Sequence, residues 1–433
     1  MWLLGGLTCS LFTDADESGG PHRWRGAMET DPPTERHPCV LVLGCGVNGL
    51  TAAMRLALDG FAPVVIGRDP PFDSCSVGAG ALWEYPPFAV EPAELACRLA
   101  LASRPILEQL SAAQPTGVVM RRCAYGWRSP PMGHDRPAWK MAVGDTFQTE
   151  LEPEYAAEFT AGISYVAPVV YMRQYLVWLL GQCSQLGVRI FTGPEYHVRS
   201  MAHLLDELAP SLGVAEPRAA LVVNCLALGA AEVFGDTSMV PVRGQLAYVY
   251  APGVETVLED SDAPDGLTYV VPQSGGVVAC AGCAQVGDDR QHPDAQTEAG
   301  VLERCRRAFP VLRDAPVVGR WAGLRPSRRA GLRIETEEIE VGGSSCTVMH
   351  NYGHGGSGVI LSWGSAQLVA REAAQWAEAR AHELLPRVPP PELADWPTLR
   401  QRCEAAFASP LVPAGGHTEA TSSVPLAAPP SKL

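Results

Sequence analysis

Residues 39–69 constrain this chain more than any other stretch. The apolar run Cys39-Val40-Leu41-Val42-Leu43 reads as a buried strand and leads directly into Gly44-Cys45-Gly46-Val47-Asn48-Gly49. Leu50, Ala53, Met54, Ala57 and Leu58 then recur at the spacing of one helical face, Gly60 closes the helix, and Pro63 to Gly67 reads as a second strand ending in Arg68-Asp69. A strand, glycine turn, helix and strand in this order build half of a dinucleotide-binding fold. Gly44 permits the tight turn, Gly46 lets backbone approach a pyrophosphate, Gly49 lets the helix pack on the strands, and Asp69 stands where an acid accepts from ribose hydroxyls.

Beyond this unit, a helix is expected near Met172 to Leu186, strands at Val188 to Phe191 and Ala220 to Cys225, and a strand, glycine loop and closing helix over Val348 to Ala370. β-prone runs at Gln245 to Val249 and Leu267 to Val271 lie between Pro-rich stretches and suit an antiparallel unit. The expected fold class is α/β, a Rossmann-like nucleotide-binding domain joined to a mostly antiparallel, β-rich substrate domain. The nucleotide domain is expected to be discontinuous, from 38–90, 172–235 and 320–378, with 91–171 and 236–319 forming the second. Residues 1–37 and 409–433 read as a disordered extension and a flexible Pro/Ala/Ser tail.

Composition removes several classes of function. The 433 residues are 47% hydrophobic, enough for two full cores, and 33 basic against 47 acidic residues give a formal charge of −14 that repels phosphate backbones and anionic lipid. Neither nucleic acid nor membrane is therefore an expected partner, and the apolar start Met1 to Phe12 is too short to span a bilayer. Thirteen scattered cysteines suit a reducing compartment, and the lone Cys280-x-x-Cys283 pair sits in a strand-like run that would point the two thiols to opposite faces, so no metal site is expected. The last three residues, Ser431-Lys432-Leu433, match the peroxisomal address, which implies the peroxisomal matrix and its import receptor as a partner.

Several patterns, in order, resemble the D-amino-acid oxidase family, which includes the D-aspartate oxidases. They are Val42 to Leu50, Gly78-Ala79-Gly80-Ala81-Leu82-Trp83, Val223-Asn224-Cys225, Pro241-Val242-Arg243-Gly244-Gln245, Gly323-Leu324-Arg325-Pro326 and His350 to Gly358, together spanning most of 39–375. The resemblance implies FAD held without a covalent bond, hydride transfer from the substrate Cα to flavin N5, and reoxidation by O2 to give H2O2, a 2-oxo acid and ammonia. It implies cofactor contacts from the turn (Gly44, Gly46, Val47, Asn48, Gly49), from Arg68 and Asp69, and from Cys75, Ser76, Gly80, Ala81 and Leu82. Val198 and Cys225, and the closing loop Gly355, Gly356, Gly358, Val359 and Ile360, complete that set.

For the substrate, the resemblance assigns the α-carboxylate to Arg325 and the Tyr269 hydroxyl, the amine to the carbonyl of Gly356 or Ser357, and a pocket position to Glu84. No side chain is assigned as acid or base, and His354 is read as structural. The family's second substrate tyrosine is replaced by Asp265. D-Aspartate-selective members carry extra arginines where this chain has Asp262 and Ala284. With Asp260, Asp262 and Asp265 expected near the entrance, neutral or basic D-amino acids are the expected substrates, D-aspartate oxidase or a glycine/sarcosine-type amine oxidase the alternatives, and a homodimer is left open.

Overall fold

The computed structural model describes residues 38–85, 90–113, 115–129, 142–150, 159–260, 262–263 and 266–380. The expected N-terminal extension and tail, with Ser431, Lys432 and Leu433, lie outside the described residues, as does Asp265.

Strand β1 (Cys39–Leu43) is buried along its whole length, as a continuous apolar run at the centre of a parallel sheet must be. It lies between β2 (Ala62–Gly67) and a later strand, Leu221–Asn224, both parallel to it. Alternation divides these strands between two cores. Val40, Val42, Val65 and Val223 face one cluster, while Leu41, Leu43, Val64, Ile66 and Val222 face the other. Helix α1 (Val47–Leu58) covers the first face.

The remaining parts of this layer come from distant sequence. Helix α2 (Ala93–Ala112) is followed by β3 (Val118–Trp127), β4 (Ala161–Val170) and α3 (Met172–Gln185), then β5 (Arg189–Thr192) and β6 (Leu221–Asn224). After β7 (Met239–Tyr250), β8 (Val257–Asp260), β9 (Thr268–Pro272), β10 (Val277–Ala281) and β11 (Gln285–Val286) come α4 (Ala295–Ala308), β12 (Val317–Arg328), β13 (Arg333–Val341), β14 (Ser344–Tyr352) and α5 (Gly358–Ala379). The first sheet has the order β13-β14-β6-β1-β2-β5, parallel except for β13. The second is eight-stranded, in the order β11-β7-β10-β9-β8-β3-β4 with β12 paired to β7, and antiparallel except between β3 and β8.

Two details differ from the sequence reading. Strand β12 pairs with β7 from Val317 to Arg328, so residues 320–328, expected with the nucleotide domain, belong to the second sheet. Helix α2, expected with the substrate domain, packs on α5, where a Cβ on Gly364 would lie 2.4 Å from the Leu99 carbonyl oxygen and the Ser103 hydroxyl accepts from Gly364 N at 2.8 Å. In both cases pairing at long range decides membership, and local pattern does not report it. Among the described residues, no helix is long and apolar enough to cross a membrane.

The two sheets are tied by a polar joint at Asp236. Its carboxylate accepts from Arg328 Nε at the end of β12 (2.7 Å), from the Tyr352 hydroxyl at the end of β14 (2.7 Å) and from Ser238 N (2.9 Å), while Arg333 donates to Tyr352 (3.1 Å). Burial opposes ionisation, but the hydrogen bonds from Arg328 and Tyr352 outweigh it and hold the carboxyl well below the usual range. Removing one partner of such a buried pair leaves the others uncompensated, so Asp236→Ala is expected to cost about 3 kcal/mol in urea unfolding. Because the folded value is depressed, the gap between parent and variant is full above pH about 4 and narrows as pH falls through the depressed value. A gap that is constant from pH 7 to pH 3 contradicts this account.

Candidate functional site

The turn between β1 and α1 is fixed by the protein at two glycines and left open at the third. Gly44 has φ +102°, and a Cβ there would fall 2.4 Å from the Cys225 carbonyl oxygen; one on Gly49 would fall 1.9 Å from the Gly44 carbonyl oxygen. At Gly46 a Cβ would meet no backbone, its neighbours being the hydroxyls of Ser76 at 3.3 Å and Ser74 at 4.0 Å. The fold therefore requires Gly44 and Gly49, whereas Gly46 keeps clear the space in front of the helix.

Helix α1 begins without a side-chain cap and without an acid in its first turn. The Ser76 hydroxyl accepts from Val47 N (3.1 Å), and the buried Asn48 Oδ1 makes no hydrogen bond. Such a start, opening on a cavity, is an anion site. Helix α5 also begins uncapped and without an acid in its first turn, after the 3₁₀ turn Gly355–Ser357. The two starts adjoin, since a Cβ on Gly358 would lie 3.1 Å from Asn48 Nδ2. Two helix dipoles thus place their positive ends side by side.

In front of α1 lies a cleft of about 1400 Å³. Of the residues expected to hold a cofactor, Gly44, Gly46, Val47, Asn48, Gly49, Arg68, Asp69, Cys75, Ser76, Val198 and Cys225 line it. Arg68 and Asp69 are paired with each other at 2.6 Å at its outer end. Cys75 is exposed on this wall.

The expected contacts Gly80, Ala81, Leu82, Gly355, Gly356, Gly358, Val359 and Ile360 are not part of the cleft wall. Ala81 and Leu82 instead run along β4, with Val170 N donating to Ala81 O and Leu82 bridged to Val169. The side chains of Val359 and Ile360 are core, which leaves them only backbone to offer. Sequence reading missed other wall residues, including Tyr196, His197, Ala227, Glu232 and Trp321. Trp321 left no local signal in the sequence: its ring fills the space beside two glycines, Gly78 and Gly323, where a Cβ would come within 2.1 and 2.3 Å of it, and the contact with Gly78 joins distant parts of the chain. Ala81 and Ala227, the two non-glycine residues with left-handed φ among those described, both lie in these segments.

Past the Trp321 rim of the cleft, Arg325, Tyr269 and the glycine loop come together. Arg325 Nη1 donates to the Cys283 carbonyl (3.0 Å), and the guanidinium lies near enough to the Tyr269 phenol to act on it electrostatically. Gly244 makes room for it, since a Cβ there would lie 2.5 Å from Nη1, and the Cβ direction of Gly356 points at Arg325 Cδ, 3.5 Å away. Burial raises the Tyr269 phenol above its ordinary value against the pull of Arg325, so the hydroxyl stays protonated. A Cβ on Gly80 would lie 3.6 Å from the Tyr269 ring, and Glu84 follows on the same segment. Ser357 is buried at the start of α5, and His354, lowered to about 4 by burial, is a neutral imidazole whose Nε2 lies 3.0 Å from the Ser365 hydroxyl.

Two sequence readings change. Asp260 and Asp262 do not form an acidic entrance: Arg128 pairs with Asp260 at 2.6 Å, and Asp262 accepts from the backbone N–H groups of Arg128 and Ser129. Arg243 and Arg328 are committed elsewhere, Arg243 to Gln245, Gln285, His292 O and Asp294, Arg328 to Asp236. Cys280 and Cys283 are not set apart by strand alternation, because β10 ends at Ala281 and Gly282, at φ +142°, turns the chain before Cys283.

The family described as FAD dependent oxidoreductase matches residues 39–372. The chain is similar to a D-amino-acid oxidase of Rubrobacter xylanophilus, 37% identical over 76% of this chain and 94% of that one. It is similar to another of Streptomyces coelicolor (35%, 80% and 100%) and to a D-aspartate oxidase of Homo sapiens (30%, 78% and 96%). Among solved structures, a glycine oxidase from Geobacillus kaustophilus shares the fold with a TM-score of 0.63 at 19% identity, covering 79% of this chain and 95% of that one.

The uncapped start of α1 and the cleft in front of it fit an FAD pyrophosphate. Gly46→Val is therefore expected to yield folded, colourless protein, with far-UV dichroism like the parent's and no flavin absorbance. Retained flavin absorbance would place the pyrophosphate elsewhere.

Proposed function

The chain belongs to the D-amino-acid oxidase family of FAD-dependent oxidoreductases, and from that premise we infer that it oxidises D-amino acids, with neutral or basic side chains favoured. The observation that carries the reading is Arg325, held by the Cys283 carbonyl close to Tyr269 at the glycine loop where two positive helix ends meet. A planar guanidinium in that position binds the α-carboxylate bidentately, and the Tyr269 hydroxyl donates a further hydrogen bond. The backbone carbonyl of Gly356 or Ser357 accepts from the amine, which fixes the third direction at Cα.

Bound FAD supplies the acceptor for the Cα hydride and returns the electron pair to O2, giving H2O2, while the imino acid hydrolyses to a 2-oxo acid and ammonia. The start of α5 favours the negative charge that arrives with the hydride. His354 is neutral and turned to Ser365, so it neither repels the substrate ammonium nor is required as a base. The alternative of a D-aspartate oxidase needs a second cation in the pocket. Arg243 and Arg328 are both engaged elsewhere, which supports the first reading.

The proposed setting is the peroxisomal matrix. This rests on Ser431-Lys432-Leu433 and on the match between a peroxide-forming reaction and an organelle that degrades peroxide. The partners proposed with it are the D-amino acid, O2, the import receptor and a second copy of the chain.

Arg325→Ala is expected to retain FAD but to lose at least about 100-fold in kcat/KM for D-alanine, the loss of a charge-assisted fork of about 3 kcal/mol. The same peroxide assay on the parent is expected to read D-aspartate at least about 100-fold below the best neutral or basic D-amino acid. A variant within about twofold of the parent on D-alanine removes Arg325 from the site. Deleting Ser431 to Leu433 should leave catalysis intact and shift the protein to the cytosol, followed by fluorescence microscopy; retention in peroxisomes would mean another address.

A further inference from the structure

Strand β6 ends on a polar residue, Asn224, and the register of the first sheet sets a second polar residue beside it. His350 of β14 lies opposite Asn224 on one side and opposite Glu335 of β13 on the other. The Asn224 and His350 side chains are fully buried, so their hydrogen bonds must be made within the protein.

Neighbours fix each of the two groups in one state. Leu226 N donates to Asn224 Oδ1 (3.1 Å), which turns Nδ2 toward His350 Nδ1, 3.1 Å away. An amide Nδ2 only donates, so Nδ1 accepts, and the ring proton sits on Nε2 and is donated to Glu337 (2.9 Å). This bond from His350, with Arg333 donating to the same carboxylate (2.7 Å), holds Glu337 below its usual range. Burial pushes the imidazole below its ordinary value, with Arg333 adding to the effect and Glu337 and Glu335 opposing it, so the ring is neutral at pH 7. Phe234 meets the ring edge-on at 5.1 Å and Tyr352 at 5.7 Å, the Tyr352 hydroxyl being tied to Asp236 and Arg333.

The same bonds hold the segment that leaves β6. Leu226, Ala227, Leu228 and Gly229 line the cleft beside the α1 turn. Ala227 sits at φ +55°, a left-handed conformation that a non-glycine residue keeps only where its surroundings hold it. The segment is pinned at its start by the bond from Leu226 N to Asn224, and at its end by Phe234, the last residue of the short helix Ala230–Phe234, against the His350 ring.

We propose that Asn224 and His350 are positioning residues for the cofactor: the neutral imidazole keeps the Asn224 amide in the orientation that fixes the Leu226 to Gly229 wall, and a proton added at Nδ1 loosens that wall and releases FAD. The added proton sets one donor against another, Nδ1–H against Nδ2. The amide must turn over to offer its oxygen, and Leu226 N then loses its acceptor. FAD therefore favours the neutral ring, and its affinity is full at and above the ordinary histidine range and falls as pH drops below it. The proposal rests on the FAD cleft and is independent of the choice of substrate.

The test follows FAD released from the diluted holoenzyme, by the rise in flavin fluorescence, at pH 7.5 and at pH 5. The parent is expected to bind FAD at least about tenfold more weakly at pH 5, as when nine molecules in ten have left the competent state. His350→Asn keeps an acceptor toward Asn224 and takes up no proton. It should bind FAD within about threefold of the parent at pH 7.5 and lose the dependence on pH. Asn224→Asp keeps the acceptor for Leu226 N and pairs with a charged ring, so its affinity should rise toward pH 5. A purely structural role for the pair gives weaker binding in both variants with the parent's slope, and that result overturns the proposal, as does a parent of equal affinity at both pH values. Should one variant fail to fold by far-UV dichroism, the slope of the other decides. A parent that holds no flavin at either pH overturns the cofactor cleft itself.

Discussion

The meeting of two uncapped helix starts is the constraint around which the rest of the molecule is arranged. Neither α1 nor α5 supplies a side chain or a first-turn acid to its own exposed N–H groups, and Gly358 brings the two starts together at Asn48. Such a concentration of positive potential is stable only where an anion or a run of polar partners meets it. Ser76 satisfies one donor of α1, and the cleft leaves the remainder to FAD. The parallel order around β1 follows from this, because the β1 turn and the β14 loop must end at the same edge of the sheet.

The second sheet solves a different problem, that of holding a guanidinium against this positive centre. Arg325 is placed beside helix ends that repel it, and it stays there because the Cys283 carbonyl accepts its hydrogen bond and Gly244 gives it room. The long pairing of β12 with β7 makes that position rigid, and the Asp236 joint locks the end of β12 to the end of β14, from which the glycine loop departs. Binding and cofactor elements are thereby held on one frame.

The acidic residues of this chain divide by strand alternation. Asp260 is spent on Arg128, while Glu259, its neighbour, shares the face of Tyr269. A count of acids near the loop does not distinguish the two.

By itself the sequence determined the nucleotide unit, since the turn from Gly44 to Gly49 and the periodicity of α1 are local properties of a contiguous stretch. It also determined the family, through motifs whose order along the chain carries the resemblance, and with it Arg325, Tyr269 and the loop from Gly355 to Gly358. Tertiary structure alone decided that β12 belongs to the second sheet, that Arg243 and Arg328 are engaged away from the pocket, that Trp321 stands against Gly78, and that Glu259 shares the sheet face of Tyr269. Each of these depends on the register between strands far apart in sequence, and a shift of one residue there turns every side chain to the other face, which no local pattern records.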